Sequence, residues 1–233
     1  MNDAAKLLTE FVGTFIFLSV IALSGPAGPL APLAIGAALM VMVYMGGHVS
    51  GGHYNPAVSF GLFLRRKIDI RTMAGYWLTQ LVAGALAFVV GYLVSGRTPG
   101  IQPGSGVLAA SALTIEILFT VGLVLVVLNV AATPATAGNS FYGLAIGFTI
   151  VVGAFVGGPI SGGAFNPAVG FGATLGAALF HSGSWSHLWL YIVGPLVGAA
   201  VAAGIHYVQV TGLEGLVRRP PGRAAPGRVS RRP

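Results

Sequence analysis

Apolar residues fill this chain in runs too long for a strand or a single surface helix. No Asp, Glu, Lys or Arg interrupts residues 11–64, and none interrupts residues 117–213. One bilayer crossing needs about 20 apolar residues, so each run must hold several crossings joined by short neutral turns. Clusters of Pro and Gly punctuate the runs: SGPAGP at 24–29, GRTPGIQPGSG at 96–106 and TPATAG at 133–138. The pattern predicts helical spans over 5–25, 31–50, 73–95, 109–131, 140–160 and 187–210. A barrel is excluded, because its strands would alternate apolar and polar positions over about ten residues. Two apolar pieces are too short to cross. Residues 56–64 make about 14 Å of helix at about 1.5 Å per residue, half of a hydrocarbon core of about 30 Å. Residues 167–180 are similar.

Both short pieces follow one repeated element. SGGHYNPAV occupies 50–58 and SGGAFNPAV occupies 161–169, with seven of nine positions identical and the copies 111 residues apart. The flanks repeat as well. LTEFVGTFIFL at 8–18 answers LTIEILFTVGLVL at 113–125, and YWLTQLVAGA at 76–85 answers YIVGPLVGAA at 191–200. Each half therefore holds two spans, a half-span and a third span. Three crossings are an odd number, so the second half is inverted in the membrane, and such repeats place a pathway at the bilayer midplane. The expected fold is an all-α membrane protein with six transmembrane helices plus two re-entrant half-helices in two inverted repeats. The expected channel domain covers 1–215, its halves about 1–100 and 107–215, and a disordered basic tail covers 216–233.

The repeated element reads as a helix start. Asn55 and Asn166 suit an N-cap, with the side-chain oxygen accepting a backbone N–H from the first turn. Pro56 and Pro167 suit the first helical position, where a missing N–H costs nothing; Ala57 and Ala168 follow. With its oxygen used, each Asn still has an NH₂ to donate. The stretch before each cap runs extended and exposes carbonyls, from Gly51, Gly52 and His53 in one copy and Gly162 and Ala164 in the other. Irregular backbone at that depth needs protein or a water-filled cavity beside it. Two half-helices entering from opposite faces meet N-terminus to N-terminus, each carrying about half a positive charge. That point suits a neutral molecule with a lone pair and repels cations and hydronium.

Composition agrees with a membrane class. The chain is 55% hydrophobic and 7% charged, against about a quarter charged in soluble domains. The N-terminus is read as a retained first span, not a cleaved signal. Cysteine is absent, which excludes disulfides and thiolate metal sites. The five histidines have no metal-ligand spacing, so no metal and no cofactor is expected. The net charge of +7 lies in segment ends and the tail, which fits membrane orientation and not nucleic acid. Lys6, Arg65, Arg66, Lys67, Arg71 and the tail arginines put both termini in the cytoplasm, with Arg97 on the other side. The tail is expected to touch anionic lipid.

The doubled Asn-Pro-Ala, the acids Glu10 and Glu116, and the six-plus-two arrangement resemble the aquaporin, or major intrinsic protein, family. SGGAFNPAV and HLWLYIVGPLVGAA are most similar to plant tonoplast-type aquaporins. The resemblance implies a water and small-solute channel in the lipid bilayer, assembled as a homotetramer with one pore per subunit. Glu10 and Glu116 are read as structural acids that accept backbone N–H bonds from the re-entrant segments, against the alternative of a proton relay. His48 and His53 are read as braces in preference to pH gates. The pairs Gly143/Gly147, Gly153/Gly157 and Gly194/Gly198 are read as close helix packing. Alignment to the family places the outer selectivity filter at Ile35, Ala154, Gly163 and Val169. Most members carry an arginine where Val169 stands, so the filter is expected to be wide, apolar and without a side-chain donor. Val58, in the first copy, is expected only to pack. Expected solutes are water, urea, ammonia and hydrogen peroxide, with glycerol ranked lower because Gly170 and Thr174 replace the glycerol-facilitator pattern. The competing readings are a secondary transporter and a closed or structural membrane protein of the same fold. An enzyme is not expected, since no nucleophile–base arrangement occurs in the spans.

Overall fold

A computed structural model describes residues 2–212, so the tail expected at 216–233 lies outside the described residues. The helices are α1 (Asp3–Leu23), α2 (Ala31–Ser50), α3 (Pro56–Leu64), α4 (Ile70–Ser95), α5 (Ala109–Ala131), α6 (Tyr142–Ser161), α7 (Pro167–His181) and α8 (Leu188–Thr211). Short 3₁₀ turns at Gly25–Leu30 and Pro134–Thr136 precede α2 and follow α5. No strand occurs among the described residues. Six of the helices are long and apolar enough to cross a membrane, while α3 has 9 residues and α7 has 15.

Capping explains where the helices depart from the expected bounds. Asn2 accepts the N–H of Ala5 at 2.8 Å and starts α1 two residues early. Asp69 accepts the N–H of Thr72 at 2.7 Å and starts α4 at Ile70. Spans α2 and α5 coincide with 31–50 and 109–131.

The packing shows the repeat directly. Helix α1 lies against α4 as α5 lies against α8; α1 meets α2 as α5 meets α6; α3 contacts α8 as α7 contacts α4. Helices α2 and α6 then cross at the centre. Gly36 and Gly147 make that crossing: a Cβ on either would stand 2.6 Å from the other's carbonyl oxygen. The outer faces carry residues such as Leu78 and Leu93, 67% and 72% exposed, as a lipid-facing surface requires.

The short helices α3 and α7 have their C-termini at opposite faces. Arg65, at the end of α3, bonds to His206 near the end of α8. At the other face Phe180, near the end of α7, stacks on Tyr92 near the end of α4, with ring centroids 3.8 Å apart. Their N-termini point inward and meet.

Candidate pore and its asparagine clasp

The two re-entrant segments share one backbone. Gly51, Gly52 and Tyr54 have φ of 95°, 62° and 48°; Gly162, Gly163 and Phe165 have 95°, 70° and 48°. Glycine accepts such angles freely, whereas a bulky aromatic there is a strained exception held by its surroundings. The holding groups are visible. Glu10 Oε1 accepts from Ser50 Oγ at 2.7 Å and from the His53 N–H at 2.9 Å; its Oε2 accepts from the Tyr54 N–H at 2.8 Å and Gln80 Nε2 at 2.8 Å. Glu116 accepts from Ser161 Oγ at 2.7 Å, Ala164 N–H at 3.0 Å and Phe165 N–H at 2.7 Å. Tyr76 and Tyr191 donate to the carbonyls of Ser50 and Ser161. Both acids are fully buried, and neither lines either of the two cavities described below.

Each Asn then does two jobs. Asn55 Oδ1 accepts the Ala57 N–H at 2.8 Å, and Asn166 Oδ1 accepts that of Ala168 at 2.9 Å. Asn55 Nδ2 donates to the carbonyl of Phe165 at 2.9 Å, and Asn166 Nδ2 donates to the carbonyl of Tyr54 at 3.0 Å. The positive φ of each aromatic residue turns its carbonyl toward the opposite half. One hydrogen of each NH₂ is thus committed to joining the halves, and one remains.

Both asparagines line a cavity of about 230 Å³, which runs from their tips to the face where α1 ends. A second, of about 430 Å³, begins one turn further along α2 and α5. It opens at the face where α1 starts and α8 ends, between His48, Gly51 and the segment 132–139. The residues expected to offer carbonyls all line one of the two: Gly52, His53, Gly162 and Ala164 the first, Gly51 the second. Ile35, Ala154 and Gly163 share a wall of the first cavity. Val169 is 1% exposed in the first turn of α7 and does not line it, because a short branched side chain stops inside the packing. The two valines that close the repeated elements also differ from expectation. Val58, expected only to pack, lines the cavity beside Asn55.

Four further features were not anticipated. The carbonyls of Tyr54 and Phe165 complete the clasp. Gln80 joins the Glu10 cluster, and its counterpart in the second half is Pro195, which cannot. Pro99, Gly100 and Ile101, in what read as a plain connector, line the outer end of the first cavity. Gly104 N–H fastens that connector to the carbonyl of Ile160 at 3.0 Å. Finally, Gly153 and Gly157 face α5, as the close-packing reading expects, and also seat the Phe165 ring: a Cβ on Gly157 would stand 2.8 Å from Ile115 Cγ2 and 2.9 Å from the ring, and one on Gly153 would stand 3.0 Å from the ring and 3.5 Å from Phe119 Cβ. No group of three or more His, Asp or Glu residues could hold a metal among the described residues.

Comparison with known proteins agrees with this architecture. The family model described as Major intrinsic protein matches residues 1–207. "Probable aquaporin TIP2-2" of Oryza sativa subsp. japonica is 36% identical over 221 residues, covering 88% of this chain and 87% of that protein. "Aquaporin TIP1-2" of Musa acuminata is 37% identical over 216 residues, covering 85% and 84%. The X-ray structure of the aquaglyceroporin from Plasmodium falciparum superposes with a TM-score of 0.77 at 22% identity, covering 92% of this chain and all of that one. That likeness shows the fold. The chain belongs to the major intrinsic protein family. It is a multi-pass integral membrane protein, a passive channel of the water and small-solute class and not an enzyme.

Proposed function

We propose that the two cavities and the asparagine pair between them form a pore for water and small neutral solutes, among them urea, ammonia and hydrogen peroxide, with glycerol less favoured. The observation that carries this reading is the reciprocal clasp. It brings the N-termini of α3 and α7 together and leaves one N–H of each asparagine over. A neutral molecule accepts from those donors; a cation meets two positive helix ends. A water held by both asparagines points its own hydrogens away, which breaks a proton wire at that place.

Ile35, Ala154 and Gly163 form the outer constriction in this reading. Val169 contributes through what it lacks, since an arginine there would have the length to enter the lumen and supply up to five donors. The wall is left apolar and wide, which favours solutes larger than water. The pore-facing carbonyls of Gly51, Gly52, His53, Gly162 and Ala164 supply acceptors along the rest of the path. A transporter reading is disfavoured because Glu10 and Glu116 are spent on backbone donors away from the cavities. The channel domain is taken as 1–215 with halves of about 1–100 and 107–215. The face bearing Lys6, Arg65, Arg66, Lys67 and Arg71 is taken as cytoplasmic on the positive-inside rule. A homotetramer is the assembly implied by the family.

Light scattering of proteoliposomes after an osmotic step tests this function. Fast shrinkage in sucrose and fast reswelling in urea are expected. Shrinkage without reswelling would mean a pore restricted to water, and shrinkage no faster than in empty vesicles would refute an open channel.

A further inference from the structure

The inverted repeat that supplies the outer filter supplies the same positions a second time, nearer the inner side. Helices α2 and α6 have 20 residues each, and the 111-residue offset of the repeated element relates them residue for residue. Ile35 and Ala154 of the outer set therefore have Ile146 and Val43 as inner twins, and Gly163 has Gly52. The inner set is the bulkier. Its isoleucine and glycine match the outer ones, but a valine stands where the outer set has an alanine. Val58 lines the lumen, while its twin Val169 stops inside the packing. The twins His53 and Ala164 do not decide the comparison. The His53 ring lies against Gly51, and Ile101 of the connector takes the matching place against Gly162.

The lumen breaks at this inner set. The first cavity holds Ile35, Ala154, Gly163 and both asparagines in one continuous space. It ends at Leu39 and Ile146, the second begins at Val43, one turn past Leu39, and no described residue lines both. Val43, Val58 and Ile146 are 2%, 3% and 5% exposed, whereas Ile35, Ala154 and Gly163 each keep a larger open surface.

We propose that the size limit of this pore is set by an inner filter of Val43, Gly52, Val58 and Ile146, and not by the outer set. The proposal rests on the pore reading above and adds to it the place where solutes are sorted. A solute that passes two constrictions in series is held by the tighter one. Ala154, Gly163 and the missing arginine open the outer constriction, while the inner one keeps three branched side chains. Branched chains are stiff at χ1, and these three are packed on almost all sides, so they do not swing aside for a solute. They also offer it no hydrogen bond, which leaves backbone carbonyls as the acceptors at that level. Slender or flat molecules such as water, ammonia and urea suit such a slot. Glycerol, with a hydroxyl on every carbon, is the wider molecule and is held there. The inner filter thus gives a steric reason for ranking glycerol low.

The full chain in proteoliposomes gives the test, by stopped-flow light scattering in sucrose, urea and glycerol gradients. The wild type should reswell fast in urea and slowly in glycerol. Val43→Ala gives the inner filter the residue of its outer twin and adds no polar group. Its glycerol permeability should rise about fivefold or more, with water permeability changed less than about twofold. Ile146→Val removes a single carbon and should shift glycerol in the same direction by less, which keeps the test open if Val43→Ala folds poorly. Ile35→Ala widens the outer set and should raise glycerol permeability far less than Val43→Ala does. Water flux in the same vesicles reports how much folded channel each variant supplies. A larger glycerol gain in Ile35→Ala than in Val43→Ala and Ile146→Val would put the size limit at the outer set, overturning the inner filter and leaving the pore reading intact. Glycerol passing the wild type as fast as urea would overturn it as well. Wild-type water flux no faster than in empty vesicles would remove the pore reading and the inner filter with it.

Discussion

Asn55 donates its side-chain amide to the backbone carbonyl of Phe165, 110 residues away, at 2.9 Å. The bond has a mirror image in Asn166 and Tyr54. Asparagine is the side chain that fits, because one group must accept from the helix's own first turn while another donates across the repeat. Aspartate supplies only the first function, and serine has too short a reach.

Asn166→Asp should therefore keep the cap on Ala168 and lose the clasp. The carbonyl of Tyr54 loses its buried donor, at a cost of about 1–3 kcal/mol. The added negative charge also cancels part of the positive field of the two helix ends. Thermal unfolding in detergent should begin at lower temperature, and planar bilayers should show a larger cation conductance than with the wild type. A variant that conducts cations no better than the wild type would speak against the electrostatic barrier.

The acids make a second prediction. Glu116 accepts three hydrogen bonds, two of them from backbone N–H groups of the strained segment. In Glu116→Gln an NH₂ must replace one oxygen and face a donor, which costs about 2 kcal/mol or more. Glu10→Gln disturbs four bonds and should cost at least as much. Denaturation midpoints should fall for both, with water permeability lost in proportion to folded protein. A proton-relay role would instead leave stability unchanged and abolish a pH-driven flux.

Packing of the Tyr54 ring gives the third. A Cβ on Gly46 would lie 2.1 Å from the Tyr54 hydroxyl oxygen and 2.5 Å from Thr9 Cγ2. Gly46→Ala should destabilise by about 1–3 kcal/mol through overpacking and displace the carbonyl that Asn166 uses. On Gly204 a Cβ meets nothing within 4 Å, so Gly204→Ala should be neutral or stabilising by up to about 1 kcal/mol. Paired melting curves separate the two.

The filter gives the fourth. Val169→Arg places a guanidinium with enough length to pass the wall at Gly163. Urea permeability should fall about tenfold or more, and water permeability far less, since water is the smaller molecule and finds new donors. Parallel urea and sucrose gradients read both numbers from one preparation. Equal loss of both would mean that the arginine plugs the lumen.

Much of this was legible in the sequence. The spans at 31–50 and 109–131 and the half-helix Pro56–Leu64 are found as expected, because uncharged runs, Pro-Gly breaks and Asn-Pro caps are local signals with local causes. The clasp partners were not legible. A carbonyl has no residue signature, and the left-handed backbone of Tyr54 and Phe165 arises from the Glu10 and Glu116 bonds, not from their own preference. Their positions were nonetheless marked, as the one aromatic place shared by both copies of the repeated element. The exchange between Val58 and Val169 was hidden for another reason. Equivalent residues on inverted halves face different neighbours, so sequence symmetry does not decide which one reaches the cavity. The connector carrying Pro99 and Ile101 read as punctuation, since nothing in a Pro- and Gly-rich loop tells whether it stands in solvent or folds back over an opening.

The central claim is that the joined N-termini of α3 and α7 pass neutral molecules and stop ions. Proteoliposomes loaded with a pH-sensitive dye test it most directly, by measuring osmotic water flux and the proton leak under an imposed potential in one sample. The account predicts water flux well above that of empty vesicles, with a proton leak equal to theirs. A proton leak that rises with the water flux would contradict it.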